Sequence, residues 1–215
     1  MKIKWLGHAS FLITSDKGTR IVTDPYKCGG ALLYAEVKEA ADVATVSHEH
    51  FDHNYVASLS GNPQAYRGPA PAEIKGVKFS AVSTFHDDTK GSQRGTNTII
   101  SMDVDGVRVC HLGDLGHPLT AEEVKQIGKV DVLLTPVGGF YTIDATVATE
   151  VAAKINAKVI IPMHFKNDRC TFPVAEVNNF IHNKKNVTLV NGTEVEFHAG
   201  KLPSTTQIMV LKPAL

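Results

Sequence analysis

The stretch that most constrains this chain is Ser47-His48-Glu49-His50-Phe51-Asp52-His53-Asn54, which follows directly on the apolar run Val43-Ala44-Thr45-Val46. A short run rich in β-branched residues and ended by a polar cluster reads as a buried strand. Four ligand-type side chains, His48, His50, Asp52 and His53, therefore fall within six residues at a strand end. In extended backbone His48 and His50 share one side and Glu49 takes the other, so the chain must turn to bring Asp52 and His53 back to the same point. Imidazole and carboxylate suit zinc, manganese, iron or nickel, and no cysteine lies nearby to close a structural zinc site. An open, hydrolytic metal site is a better reading than a histidine-rich polar loop.

Length and composition bound the rest. The 215 residues, 43% of them hydrophobic, suffice for one well-packed domain and are short for two, so residues 1–215 are expected to form a single unit. Lysine plus arginine and aspartate plus glutamate both number 22, so no global basic field draws nucleic acid or a membrane surface. Nucleic acid remains open as a substrate without support from charge, and a homo-oligomer is equally open. The start, Met1-Lys2-Ile3-Lys4-Trp5-Leu6, has no signal-peptide pattern, and no apolar run reaches the length of a membrane span, which gives a cytoplasmic expectation. Cys28, Cys110 and Cys170 are odd in number and widely spaced, as reduced thiols are.

Taken in order, residues 3–6, 11–14 and 19–23 read as a β-meander ending in Asp24-Pro25, and residues 31–41 as a helix before the metal motif. Strands are expected at 64–67 and at 77–82, the second running on to His86. The alternation of 98–104 and 107–112 about Asp105-Gly106 is a hairpin that ends in Gly113-Asp114. Thr120 and Glu123 form a capping box for a helix over 121–128, and Asp144 caps one running to Ile155. Strands at 130–136 and 158–161 end in glycines and in His164. A late helix over 173–183, strands at 187–190 and 194–197 closing the second sheet, and a strand at 207–211 complete the expectation. The segment from Phe11 to Asp24 parallels that from Ile99 to Asp114, as in a duplicated sheet-plus-helix unit.

The His48-x-His50-x-Asp52-His53 motif at a strand end resembles the first motif of the metallo-β-lactamase superfamily. Trp5-Leu6-Gly7-His8-Ala9-Ser10-Phe11, His86-Asp87-Asp88 and Arg94-Gly95-x-Asn97 are similar to small metal-dependent hydrolases related to L-ascorbate-6-phosphate lactonase. The likeness runs from Lys2 to about Val195. It implies an α/β fold, a four-layer αββα sandwich. It also implies two divalent ions, Zn2+ or Mn2+ with Ni2+ or Fe2+ as alternatives. His48, His50 and His86 would hold one ion and Asp52, His53 and His164 the other, with Asp114 bridging. Two such ions about 3.5–4 Å apart need an anion between them and share a hydroxide that serves as nucleophile.

Four further residues have a role and a bland alternative. His8, placed by the resemblance beside the metals, is a proton donor, a stabiliser of developing charge, a hydrogen-bonded structural histidine or a further metal ligand, and the glycine before it allows a close backbone approach. Asp24 orients a ligand imidazole through its second nitrogen. Arg94 forks onto a substrate phosphate or carboxylate or is solvated. Tyr141 or Thr142 lines the cavity. The catalytic set is His8, Asp52 and Asp114. The function expected is hydrolysis of a small phosphodiester or a lactone or related ester, and the alternative is a metal-binding regulatory or scaffolding protein without turnover.

Overall fold

In the computed structural model, which describes residues 1–215, the strands β1 (Lys2–Gly7), β2 (Ser10–Thr14) and β3 (Arg20–Thr23) form an antiparallel meander. Two strands then add in parallel, β4 (Val43–Thr45) on β3 and β5 (Gln64–Tyr66) on β4. The second sheet repeats this plan. β6 (Ala72–Ile74) precedes a long antiparallel meander of β7 (Val77–Phe85), β8 (Thr96–Val104) and β9 (Val107–His111). β10 (Val132–Pro136) and β11 (Val159–Met163) follow in parallel on β9. Three antiparallel strands and two parallel ones thus occur twice, in agreement with the internal resemblance of the sequence.

Alternation along the first sheet shows what lies on each face. Trp5, Ile21 and Val43 join a cluster of 44 buried apolar residues that includes Phe79, Ile100 and Val109 of the second sheet. Their neighbours Leu6, Val22 and Ala44 belong to a separate cluster of 11 with Tyr26, Leu32, Tyr34, Val37 and Leu59. The core therefore lies between the sheets, and the segment from Tyr26 to Ala41 lines the outer face of the first. In the second sheet β10 and β11 are buried throughout, as central parallel strands covered on both faces must be. The helix α1 (Ala121–Ile127) has the expected capping box between Thr120 and Glu123. The helix α2 (Ala145–Ile155) starts on the Asp144 side chain, buries Ala148, Val151, Ala152 and Ile155, and ends at Asn156 in a left-handed conformation.

Three expected elements differ. Residues 31–41 form no helix although Ala, Leu and Glu favour one, because their backbone bonds to other segments: Leu33 N–H donates to Arg169 O, Ala41 N–H to Ser60 O, and Ala31 O accepts from Thr171. The outer layer of the first sheet is accordingly loop, with a 3-10 turn at Val56–Ser58. The late helix shrinks to α3 (Asn178–Ile181), because Ala175 N–H is taken by Gly138 O and Ala175 O by Lys166 N–H. Finally, β12 (Val187–Leu189) joins the second sheet beside β14 (Gln207–Val210), but β13 (Glu194–Glu196) pairs with β1 in the first. Its register sets Glu196 opposite Lys2 and Glu194 opposite Lys4, cross-strand pairs of opposite charge.

No helix is long and apolar enough to cross a membrane. The capping box gives a clean test of the helix assignment. Thr120→Ala removes the hydroxyl that accepts from Glu123 N–H and should cost about 1 kcal/mol in urea unfolding, with the strand-end site unaffected.

Candidate metal centre

Every histidine and aspartate proposed from the sequence sits at or just past a strand end. His8 lies in the β1–β2 turn, Asp24 follows β3, the Ser47–Asn54 motif follows β4, His86 follows β7, Asp114 follows β9 and His164 follows β11. The turns are held by specific contacts. Gly7, at φ +134, packs its backbone against the Tyr34 ring, where a Cβ would come within 2.6 Å. The His8 carbonyl accepts from Trp5 Nε1 at 3.1 Å and from His164 N–H at 3.2 Å.

Asp24 is completely buried and governs the motif after β4. Its Oδ1 accepts from Ser47 N–H at 2.8 Å, and its Oδ2 accepts from the Ser47 hydroxyl at 2.5 Å and from His53 Nδ1–H at 2.9 Å. With its proton on Asp24, the Ser47 oxygen accepts from His48 Nδ1–H at 2.9 Å. Both imidazoles are thereby anchored through Nδ1, the orientation that leaves Nε2 as the nitrogen for an ion, and both Nε2 atoms are buried without a hydrogen-bond partner.

Those nitrogens face Asp114. Its Oδ2 lies 3.1 Å from His86 Nε2, 3.2 Å from His53 Nε2, 3.4 Å from His164 Nε2 and 4.0 Å from His48 Nε2, while Oδ1 has no partner. The ligand-type atoms fall into groups that could each hold an ion, His48, His50 and His86 in one, His8, Asp52, His53 and His164 in another, and Asp24, His48 and His53 in a third, the atoms of each group lying within 4.8 Å of one another. A tetrahedron of ligands at about 2.0–2.1 Å has edges of about 3.3 Å. The spacing around Asp114 matches such edges, and the orphaned nitrogens supply the lone pairs, so the residues fit a metal.

Burial, and next the neighbouring His53, lowers the His48 pKa to about 3, and burial with His164 beside it lowers that of His8 to about 4. Both rings are neutral at pH 7, the form that ligates. Asp114 is held well below the carboxylate range, because His164 and His53 outweigh a burial that pushes it up. His53 is raised, since Asp114 and Asp52 overcome its burial.

A cavity of about 310 Å3 opens over the cluster and is lined by His50, Asp52, His86, Asp114, His164, Arg94 and Tyr141, with Phe51 and Phe172 completing it. Arg94 and Tyr141 meet there, the guanidinium carbon 5.7 Å from the ring centroid. Thr142 is buried, its hydroxyl donating to Ile143 O, and it is Tyr141 and not Thr142 that lines this cavity. Asp87 has a structural role, accepting five hydrogen bonds from Thr89, Gly91, Gln93 and Arg94 to clamp the loop before Gly95.

Sequence reasoning passed over three supports. Ser47 relays Asp24 to His48. Asn97 accepts the Asp114 amide through Oδ1 and donates to Leu112 O and Thr84 Oγ1. His111 accepts Gly113 N–H on Nδ1 at 3.0 Å and so donates from Nε2 to Ala9 O at 2.8 Å, joining the turn of His8 to the turn of Asp114. Only Asn97 had a sequence signal, its spacing from Arg94.

Two sheets whose strand ends gather histidines and aspartates around a buried carboxylate define a metal-dependent hydrolase of the metallo-β-lactamase type. The family model described as "Beta-lactamase superfamily domain" matches residues 2–164, and the chain belongs to that superfamily. It is similar over 98% of its length, at 38% identity and a TM-score of 0.82, to 97% of a solved chain from Thermotoga maritima described as a candidate Zn-dependent hydrolase of this superfamily. Among curated proteins it is 30% identical to a UPF0173 metal-dependent hydrolase of Methanoculleus marisnigri, covering 83% of this chain and 85% of that one. A UPF0173 metal-dependent hydrolase of Methanoregula boonei is 31% identical, covering 77% and 82%.

Asp24 does not line the cavity over the cluster and has both oxygens bound to Ser47 and His53, so while those bonds stand its effect on an ion passes through them. Asp24→Asn should weaken metal retention roughly 10–100-fold. Competition with a chromophoric chelator measures this; unchanged retention would remove Asp24 from the site's architecture.

Proposed function

We propose that the centre holds two divalent ions, zinc or manganese with nickel or iron as alternatives, and hydrolyses a small phosphodiester or a lactone or related ester. The observation that carries this reading is the position of Asp114 Oδ2, in reach of His86 and His48 on one side and of His53 and His164 on the other. His48, His50 and His86 are assigned to one ion, Asp52, His53 and His164 to the second, and Asp114 to both. Ions so held supply a water ionised at neutral pH and a Lewis acid for the substrate oxygen.

The remaining work belongs to the chain. Asp24 and Ser47 hold the His53 and His48 rings in the ligating orientation. Asp52 is half-buried and His8 is fully buried, with Nε2 3.2 Å from Asp52 Oδ2, so His8 steadies that carboxylate from behind. Arg94 and Tyr141 bound the cavity above the cluster, where a substrate oxyanion would lie against the guanidinium. A cavity of about 310 Å3 suits a small molecule.

The test is turnover of bis-p-nitrophenyl phosphate and of a simple lactone by protein loaded with manganese or zinc. Hydrolysis of neither at full occupancy would favour the binding-protein alternative. His48→Ala should lose activity and retain fewer than two ions while its circular dichroism stays native, because the apolar core and not the metal holds the sheets; full loading would exclude His48 as a ligand.

His8→Ala separates steadying Asp52 from protonating a leaving group. A p-nitrophenolate leaves without a proton, whereas an alkoxide needs one. If His8 holds Asp52, the variant loses rate equally on p-nitrophenyl and alkyl esters and retains the second ion roughly 10–100-fold less tightly. A far larger loss on the alkyl ester would instead make His8 the proton donor.

A further inference from the structure

The cavity over the histidine cluster has a neighbour. A second cavity of about 340 Å3 shares His50 and Arg94 with it, so Arg94 stands in the wall between two lobes. The lobes differ in chemistry. The first is flanked by Phe51, Tyr141 and Phe172, whereas the second has Val46 as its one apolar residue and is walled chiefly by Glu49, Arg67, Thr96 and Thr98.

The balance of charge in the second lobe is positive. Glu49 is already engaged, accepting from Arg67 Nε at 2.9 Å and from Asn54 Nδ2 at 3.0 Å. The Arg94 guanidinium has no carboxylate partner, and its one neighbour of note is the Tyr141 ring. Arg67 is bound through Nε alone, which leaves its two terminal nitrogens for a ligand. Threonine hydroxyls add uncharged donors. The Arg94 backbone is anchored, its N–H donating to Asp87 at 2.7 Å within the clamped loop, so the side chain departs from a fixed point.

From this asymmetry we infer that the second lobe is an anion subsite, which takes a carboxylate or phosphate group that the substrate carries in addition to its scissile bond. The other side of that bond bears an aryl or similarly apolar group that lies against Phe51, Tyr141 and Phe172. The substrate is thus an ester joining an apolar group to an anionic one, with the metal cluster beneath the junction. The inference rests on the hydrolase reading of the same centre and adds the polarity of the substrate to it.

Three p-nitrophenyl alkylphosphonates of equal chain length, ending in methyl, carboxylate or phosphate, isolate the subsite because leaving group and reacting centre are constant. Metal-replete wild-type protein should favour an anionic terminus by about tenfold or more in kcat/KM, the size of one charge-assisted hydrogen bond. The preference should appear in KM, collapse to about one in Arg94→Gln, fall in Arg67→Gln and survive in part in Arg94→Lys. Whichever of the carboxylate and phosphate esters shows the larger ratio names the group. Equal kcat/KM for the three esters in the wild type, or a preference unchanged in both glutamine variants, would overturn the inference and leave the hydrolase reading intact. If the loaded wild type hydrolyses none of them, the hydrolase reading fails for this chemistry. Calorimetric affinities of the same compounds for the same proteins then decide the inference by the same ratios.

Discussion

The site depends on one crowded atom, the Oδ2 of Asp114. Four imidazole nitrogens lie within 4.0 Å of it, and that of His48, a neutral ring whose other nitrogen is bound to Ser47, presents a lone pair. Lone pairs gathered about a buried carboxylate repel, and burying such a group without a compensating charge costs several kcal/mol. A positive charge reverses the sign of those contacts, whether the proton that the carboxylates favour on His53 or an ion set between the groups. The surrounding architecture makes the crowding possible: Asn97 takes the Asp114 amide, and His111 ties the residue before Asp114 to the residue after His8 across the two sheets.

The repeated topology explains how so many donors reach one place. In each sheet a meander ends in a carboxylate, Asp24 after β3 and Asp114 after β9, and two parallel strands then carry the chain past the same edge. The two aspartates have diverged in task. Asp24 has both oxygens occupied by Ser47 and His53 and cannot serve an ion directly while they remain, whereas Asp114 keeps one oxygen free and the other facing the histidines. The first orients the site and the second receives its charge.

What the sequence made legible follows the range of the forces involved. The strand that delivers His48 to His53, the Asp-Gly hairpin and the two capped helices are local, and each agreed with its signal. The segment from Ala31 to Ala41 misled because helix propensity is local while its partners are not: Leu32, Tyr34 and Val37 are buried against the outer face of a sheet formed by distant strands. The placement of β13 beside β1 likewise depends on residues nearly two hundred positions apart. At the site, ligand-type residues carried their own chemical mark, but Ser47 and His111 act by hydrogen bonds that no spacing announces. His8 lay between the two cases, since its neighbourhood was legible but its contact with Asp52 was not.

The backbone shows that this geometry is set by the protein. His8, Asp24 and His164 adopt φ of 52°, 38° and 51°, left-handed conformations that cost a non-glycine residue about 1–3 kcal/mol each. Such conformations persist where surrounding contacts over-determine them. The His8 carbonyl receives both the Trp5 indole and the His164 amide, and Asp24 N–H is bound to Thr45 O. One carbonyl thereby fixes two of the three strained turns, and it links the first sheet to the end of β11 in the second. The strain is balanced by strand pairing and by the core. These turns set the direction in which His8, Asp24 and His164 point, and directions fixed in advance spare an arriving ion or substrate the cost of ordering its own ligands.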